Sequence, residues 1–296
     1  PYTTLFRSPE LKLSSNIFAS EKLEEIIPQS EIIFVATPSK IINDVLDRLT
    51  DFSIDNKMII SCTKGINENP FMTMSEAIEK HFNNSSIKVG VLSGPNLAKE
   101  IADEKVAGTV IASKHADLCH QAREILSSST FKIYTSDDIK GIELAGALKN
   151  IYAIISGYCH SLDVGENAIG LILTRSMAEM SNFAVNKGAN PITFLGLAGM
   201  GDLVATCFSK LSRNYQFGWA IGEGLDIEAA KYKVGQVAEG LNTIRIIHNE
   251  ISSSKIKMPL VSGMHEILFN SGSKELLLEQ IINSDIYVDV NFDVES

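Results

Sequence analysis

Ile32-Ile33-Phe34-Val35-Ala36, closed by Thr37-Pro38-Ser39, is the stretch whose reading decides the fold. A continuous apolar run of this length, ended by turn residues, is expected of a strand covered on both faces. Ile41, Ile42, Val45, Leu46 and Leu49 then recur at helical spacing. The alternation repeats. Met58-Ile59-Ile60-Ser61-Cys62 stops at Thr63-Lys64-Gly65, and Val89-Gly90-Val91-Leu92 stops at Ser93-Gly94-Pro95-Asn96, where a helix begins near Leu97. Thr109-Val110-Ile111-Ala112 leads into a helix over residues 116–126, and Phe131-Lys132-Ile133-Tyr134 ends the series. Strands alternating with helices imply parallel pairing through right-handed crossovers, hence an open doubly wound sheet. Ligands of such sheets sit beyond the carboxyl ends of the strands, so the three turns just named are expected to line one crevice.

Past residue 138 the pattern changes to helical periodicity with glycine-rich connections. A long helix is expected over about residues 140–160, with others near 168–186, 236–249 and 260–269; Ile286-Tyr287-Val288 is the one short strand signal. The expected organisation is an α/β domain over residues 1–137 and a mostly helical domain over 138–296, with the cleft between them as the default site.

Composition narrows the function classes. The 296 residues are 45% hydrophobic and 21% charged, with a net charge of −10. That acidic balance argues against a nucleic-acid surface, so an anion site must come from a few local groups. The longest apolar stretch, residues 142–158, carries Glu143, Lys149 and Asn150, which hydrocarbon would penalise heavily; no membrane span is expected. Cys62, Cys119, Cys159 and Cys207 are far apart and read as reduced cytosolic thiols, and His115 and His120, five apart, do not share a helix face. No metal ligand set is expected. The chain opens without Met, and residues 1–8 are either non-native or the interior of a longer protein.

Several polar residues stand where apolar ones dominate. Lys149-Asn150 follows Glu143-Leu144-Ala145-Gly146-Ala147-Leu148, so Lys149 is either a solvated helix lysine or a buried one that must find polar partners, which suits proton transfer. Lys64-Gly65 is a surface turn or an anion contact with close backbone approach. Gly94-Pro95-Asn96 opens a helix whose free N–H groups favour an anion, though alone it is an ordinary turn. In Leu195-Gly196-Leu197-Ala198-Gly199-Met200-Gly201-Asp202 the glycines suggest tight helix contacts or close ligand approach, and Asp202 is an N-cap or a site carboxylate. Ser212-Arg213-Asn214 puts a hydroxyl, a bidentate donor and an amide together, a trio suited to phosphate. No G-x-G-x-x-G occurs in a strand-to-helix context. Either the fold takes no dinucleotide, or a first βαβ unit is not in this chain.

Taken as an ordered set, Thr63-Lys64-Gly65-Ile66, Ser93-Gly94-Pro95-Asn96-Leu97-Ala98-Lys99-Glu100, Glu143 to Asn150, Gly199-Met200-Gly201-Asp202-Leu203, Ser212-Arg213-Asn214 and Val237-Ala238-Glu239-Gly240 closely resemble bacterial NAD(P)-dependent glycerol-3-phosphate dehydrogenases, from about Pro9 onward. The resemblance implies a Rossmann-type parallel sheet that this chain enters after its Gly-rich βαβ unit, and it implies NAD or NADP as cofactor. The implied reaction is reversible reduction of dihydroxyacetone phosphate to sn-glycerol 3-phosphate, a cytoplasmic supply for phospholipid synthesis. Lys149 matches the catalytic lysine. Lys64 matches a contact to cofactor and substrate. Gly94, Asn96, Asp202, Ser212, Arg213 and Asn214 match substrate contacts, with Asn96 where serine or threonine is common. Ala98, Val237 and Glu239 match cofactor contacts, and Arg213 also lies near the cofactor. The rival readings are another two-domain hydroxy-acid or phosphogluconate-type dehydrogenase, and an inactive phosphometabolite-binding fragment, since pyrophosphate binding should fail without the first unit. Preference between NAD and NADP is not legible; a homodimer is the assembly to test.

Overall fold

The computed structural model describes residues 4–5, 8–12, 14–83, 86–235, 238–254, 256–273 and 275–282. The strand signal Ile286-Tyr287-Val288 lies outside them. The chain divides into two compact units, Pro1–Glu143 and Leu144–Ser296.

In the first unit, among the described residues, five strands form one sheet: β1 (Ile32–Val35), β2 (Met58–Ser61), β3 (Lys88–Ser93), β4 (Ala107–Ser113) and β5 (Phe131–Ser136), in that spatial order. A separate antiparallel pair, Thr4–Leu5 with Ser8–Lys12, precedes it. Alternate residues of the apolar runs feed opposite faces. Ile59 and Val89 pack with Ile42, Leu46 and Ile78 on one side, while Met58 and Ile60 pack with Ile111, Leu118 and Ile133 on the other. Burial on both faces is why the central strands β2, β3 and β4 read as continuous apolar runs rather than alternating ones; the edge strands β1 and β5 depart from that expectation, with Phe34 and Tyr134 exposed.

The uniformly parallel expectation needs one correction. β1–β2, β2–β3 and β4–β5 are parallel, but β3 and β4 are antiparallel, with Val91 opposite Ala112. The cause is the connection. The helix expected from Leu97 spans only Ala98–Ala102. At 1.5 Å per residue it covers about 8 Å, whereas a six-residue strand runs about 20 Å. So short a helix does not carry the chain back along the sheet, and β4 starts at the edge where β3 ends.

The second unit is helical. Its framework is the helix Ile139–Ser161, inside which the division between units falls, and every residue from Gly141 to Cys159 is buried. A helix apolar all round belongs in a core. Helices at Glu166–Asn186, Glu239–Ser252 and Pro259–Phe269 agree with the periodicity. Arg213–Gly222 packs on the long helix at backbone contact: a Cβ on Gly218 would lie 1.8 Å from the Ile154 carbonyl oxygen, and one on Gly157 would lie 2.0 Å from that of Tyr215. Only residues without side chains permit that approach.

Two buried carboxyls satisfy the starts of other helices. Glu143 accepts from the Ser75 N–H at 2.8 Å and from the Ser75 hydroxyl, at the first turn of Met74–His81. Glu179 accepts from the Leu260 N–H at 2.7 Å and from the Tyr152 hydroxyl at 3.1 Å. Burial pushes Glu143 up to about 7 and Glu179 up to about 8, against these hydrogen bonds.

The raised value at Glu143 gives a signed pH dependence. Between pH 4.5 and about 7 the unfolded chain has released this proton while the folded one keeps it, so stability falls as pH rises through that window. Glu143→Gln should remove that part of the slope. Comparing urea unfolding at pH 5 and 7.5, wild type should lose up to roughly 3 kcal/mol relative to the variant; parallel profiles would contradict the assignment.

Candidate active site

Polar groups of the first unit collect at the carboxyl ends of β1, β2 and β3, where parallel strands deliver successive turns. The Thr63 hydroxyl donates to the Thr37 carbonyl at 2.7 Å, and Lys64 Nζ donates to the Gly94 carbonyl at 2.7 Å. The expected crevice turns are thus hydrogen-bonded to one another. Gly65 packs on Ser39, where a Cβ would approach that side chain to 2.4 Å. Gly94 has φ 154°, and a Cβ added there would lie 3.0 Å from Thr109 Cα, so the turn calls for glycine. The antiparallel β4 brings Thr109 to this edge. Its hydroxyl donates to the Ser93 carbonyl at 3.0 Å and accepts from Asn96 Nδ2 at 3.0 Å. Three buried oxygens here have no hydrogen-bond partner among the described residues: Thr37 Oγ1, Ser93 Oγ and Asn96 Oδ1. Buried polar atoms are normally satisfied, so such a cluster at the ligand edge of a doubly wound sheet fits a polar ligand. Ala98 is the exposed first residue of the short helix.

The second unit holds Lys149. Its side chain is 8% exposed, and Nζ donates to Asp202 Oδ1 at 2.9 Å and to the Thr206 hydroxyl at 2.7 Å. Thr206 in turn donates to Asp202 Oδ1 at 3.1 Å. Asp202 opens the helix Asp202–Cys207 directly after the wide turn Leu197–Gly201, and Gly201 takes the N-cap place. The glycines of this loop serve tight packing: a Cβ on Gly199 would meet the Phe194 carbonyl oxygen at 2.3 Å. Burial pushes the neighbouring Cys207 thiol up to about 12, so it stays neutral beside the lysine.

Ser212-Arg213-Asn214 is divided by the structure. Ser212 caps Arg213–Gly222, its hydroxyl accepting from the Tyr215 N–H at 3.3 Å. Asn214 is buried, donating through Nδ2 to Asn150 Oδ1 at 2.9 Å and accepting from the Gly240 N–H at 3.0 Å. Arg213 alone is exposed. Because Asn150 follows Lys149 and Arg213 precedes Asn214, the amide pair sets the backbones carrying the lysine and the arginine side by side. Glu239, half-buried, begins Glu239–Ser252; Val237 lies outside the described residues. Thr206 and Thr109 escape sequence reading. Thr206 leaves one signal, its place four residues after Asp202 on the same helix face.

Two family models cover most of the chain: the N-terminal region of NAD-dependent glycerol-3-phosphate dehydrogenase over residues 7–119 and its C-terminal region over residues 138–279. A glycerol-3-phosphate dehydrogenase [NAD(P)+] of Alcanivorax borkumensis is 43% identical over 284 residues, covering 96% of this chain and 82% of that protein. The chain belongs to the NAD-dependent glycerol-3-phosphate dehydrogenase family. The corresponding protein of Pseudomonas savastanoi pv. phaseolicola is 46% identical over 88% of this chain and 76% of its own length. Among solved structures, the glycerol-3-phosphate dehydrogenase of Coxiella burnetii superposes with a TM-score of 0.90 at 30% identity, covering 95% of this chain and 86% of that one. The Saccharomyces cerevisiae enzyme gives 0.82 at 25% identity, covering 93% and 82%. Membership makes the chain an oxidoreductase with a Rossmann-type N-terminal domain that uses NAD or NADP. Among the described residues, no helix is long and apolar enough to cross a membrane.

Lys149 and Asp202 should behave as a buried pair. Lys149→Met leaves the Asp202 carboxylate without its counter-charge and should cost about 3–5 kcal/mol in chemical unfolding. Lys149→Met/Asp202→Leu should recover much of that loss. A single variant as stable as wild type would show that the pair is not buried in solution.

Proposed function

We propose that this dehydrogenase reversibly reduces dihydroxyacetone phosphate to sn-glycerol 3-phosphate, with Lys149 as the proton donor to the ketone oxygen. The observation that carries the reading is the buried ammonium itself, aimed by Asp202 and Thr206. NADH or NADPH, when bound, supplies the hydride that C2 of the ketone accepts. As C2 becomes tetrahedral, negative charge grows on its oxygen, and the Lys149 ammonium stabilises that charge and passes a proton to it. In the reverse direction Lys149 takes the hydroxyl proton. Asp202 and Thr206 hold the ammonium in one orientation, so little reorganisation accompanies the transfer.

Arg213 is the phosphate ligand in this reading: its guanidinium is exposed and matches phosphate in a bidentate way. Ser212 and Asn214 keep a hydroxyl proton and a second amide proton for a substrate oxygen, while their other groups hold the helix start in place. In the same reading Lys64, Gly94 and Asn96 contact substrate, and Lys64, Ala98, Arg213, Val237 and Glu239 contact the cofactor. The unpartnered Asn96 Oδ1 supports this. The first unit is then the dinucleotide-binding domain and the helical unit the substrate-binding domain. Glycerol 3-phosphate made this way supplies the backbone of glycerophospholipids. A cytoplasmic setting is supported by the four cysteines, all unpaired.

The test uses the full-length protein. NADH or NADPH oxidation, followed by absorbance, should depend on dihydroxyacetone phosphate, and absence of turnover would remove the assignment. Arg213→Ala should raise the KM for dihydroxyacetone phosphate by about 10- to 100-fold, the worth of a charged hydrogen bond. The much slower turnover of unphosphorylated dihydroxyacetone should change little. An equal loss with both substrates would take Arg213 off the phosphate.

A further inference from the structure

The facing helices Glu239–Ser252 and Pro259–Phe269 carry a cluster that the dehydrogenase reaction does not use. His248 and His265 stack face to face, ring centroids 3.7 Å apart and planes within 5°. Glu266 stands beside them, its Oε1 3.9 Å from His265 Nδ1, a separation too long for a hydrogen bond. His265 Nδ1 is buried and has no hydrogen-bond partner among the described residues. One nitrogen from each imidazole and one Glu266 oxygen all lie within 4.8 Å of one another.

We propose that His248, His265 and Glu266 form a site for a single divalent transition-metal ion of the zinc class, bridging these two helices. The ligand chemistry sets the class. Two imidazoles and one carboxylate suit zinc, nickel or copper, whereas magnesium and calcium take oxygen ligands. Two atoms ligating one tetrahedral ion at about 2.1 Å are about 3.4 Å apart. The 4.8 Å spread therefore has to close by rather more than about 1 Å, a rotation about side-chain bonds. The stacked rings must also tilt, because imidazole lone pairs lie in the ring plane and parallel planes do not converge on one ion.

The charges around the cluster partly cancel. Arg245, stacked over the Phe269 ring at 4.4 Å from its centroid, opposes a cation. The Glu266 carboxylate offsets it. Its two oxygens, each 3.0 Å from Asn270 Nδ2, would turn one toward the ion. The two histidines are 17 positions apart in the chain, far from any ligand spacing, so only the helix pairing brings them together.

Titration of the protein with zinc chloride, by calorimetry and by thermal unfolding at pH 7.5, should show one ion per chain and a higher melting temperature. Magnesium at the same concentration should leave the melting temperature unchanged. His248→Gln and His265→Gln should each weaken zinc binding by at least about tenfold, and Glu266→Gln, at a half-exposed position, should weaken it without disturbing the fold. X-ray absorption on wild-type protein loaded with one equivalent reads the ligands without any substitution, and two imidazoles should appear in the inner shell. Sulfur in that shell would place the ion on the cysteines and overturn the proposal. So would unchanged affinity in the histidine variants, or an equal effect of magnesium.

Discussion

An ammonium group inside an otherwise apolar helix is the constraint on which the second unit depends. Removing Lys149 from water is costly unless an opposite charge and hydrogen-bond acceptors meet it. Asp202 and Thr206 do so, one turn apart on the helix Asp202–Cys207. That helix must then begin at the lysine, and the preceding wide turn, with Gly199 pressed on the Phe194 backbone, starts it there. The contact of Gly157 and Gly218 brings a third helix close enough for Asn214 to bond Asn150. Lys149 and Arg213 are thereby held by one connected framework, on which the proposed roles of proton donor and phosphate ligand rest.

The first unit works under a different rule. Parallel strands β1, β2 and β3 end at one edge, and backbone carbonyls of one turn take side-chain donors from the next. The reversal of β4 adds Thr109 from the opposite direction, anchoring Asn96 and the Ser93 carbonyl. The edge is thus rigid where the turns bond one another and unsatisfied where Thr37, Ser93 and Asn96 present oxygens. Rigid support beneath a few unmatched polar atoms is the ordinary form of a binding edge.

Most of the sheet is legible in the sequence because its central strands are buried on both faces and so read as apolar runs. The antiparallel β4 is not, since nothing in Leu97-Ala98-Lys99-Glu100 announces that the helix stops after five residues. The long helix is legible as buried, and Lys149 as the residue needing partners, but not which partners: Asp202 lies 53 positions away and Thr206 57. The tripeptide Ser212-Arg213-Asn214 suggests a hydroxyl, a bidentate donor and an amide meeting one phosphate. Folding gives them separate duties, because a helix start needs a cap and a buried amide needs neighbours. The glycines around Gly199 permit either tight packing or ligand approach, and only the proximity of Phe194 decides for packing.

The central claim, that the Lys149 ammonium supplies the proton, is tested most directly by chemical rescue. In full-length Lys149→Ala, the cavity left by the side chain has room for a small amine cation. Turnover of dihydroxyacetone phosphate, strongly depressed in the variant, should rise with added methylammonium and not with sodium at equal ionic strength. A Lys149→Ala protein that turns over as fast as wild type without any amine would contradict the account.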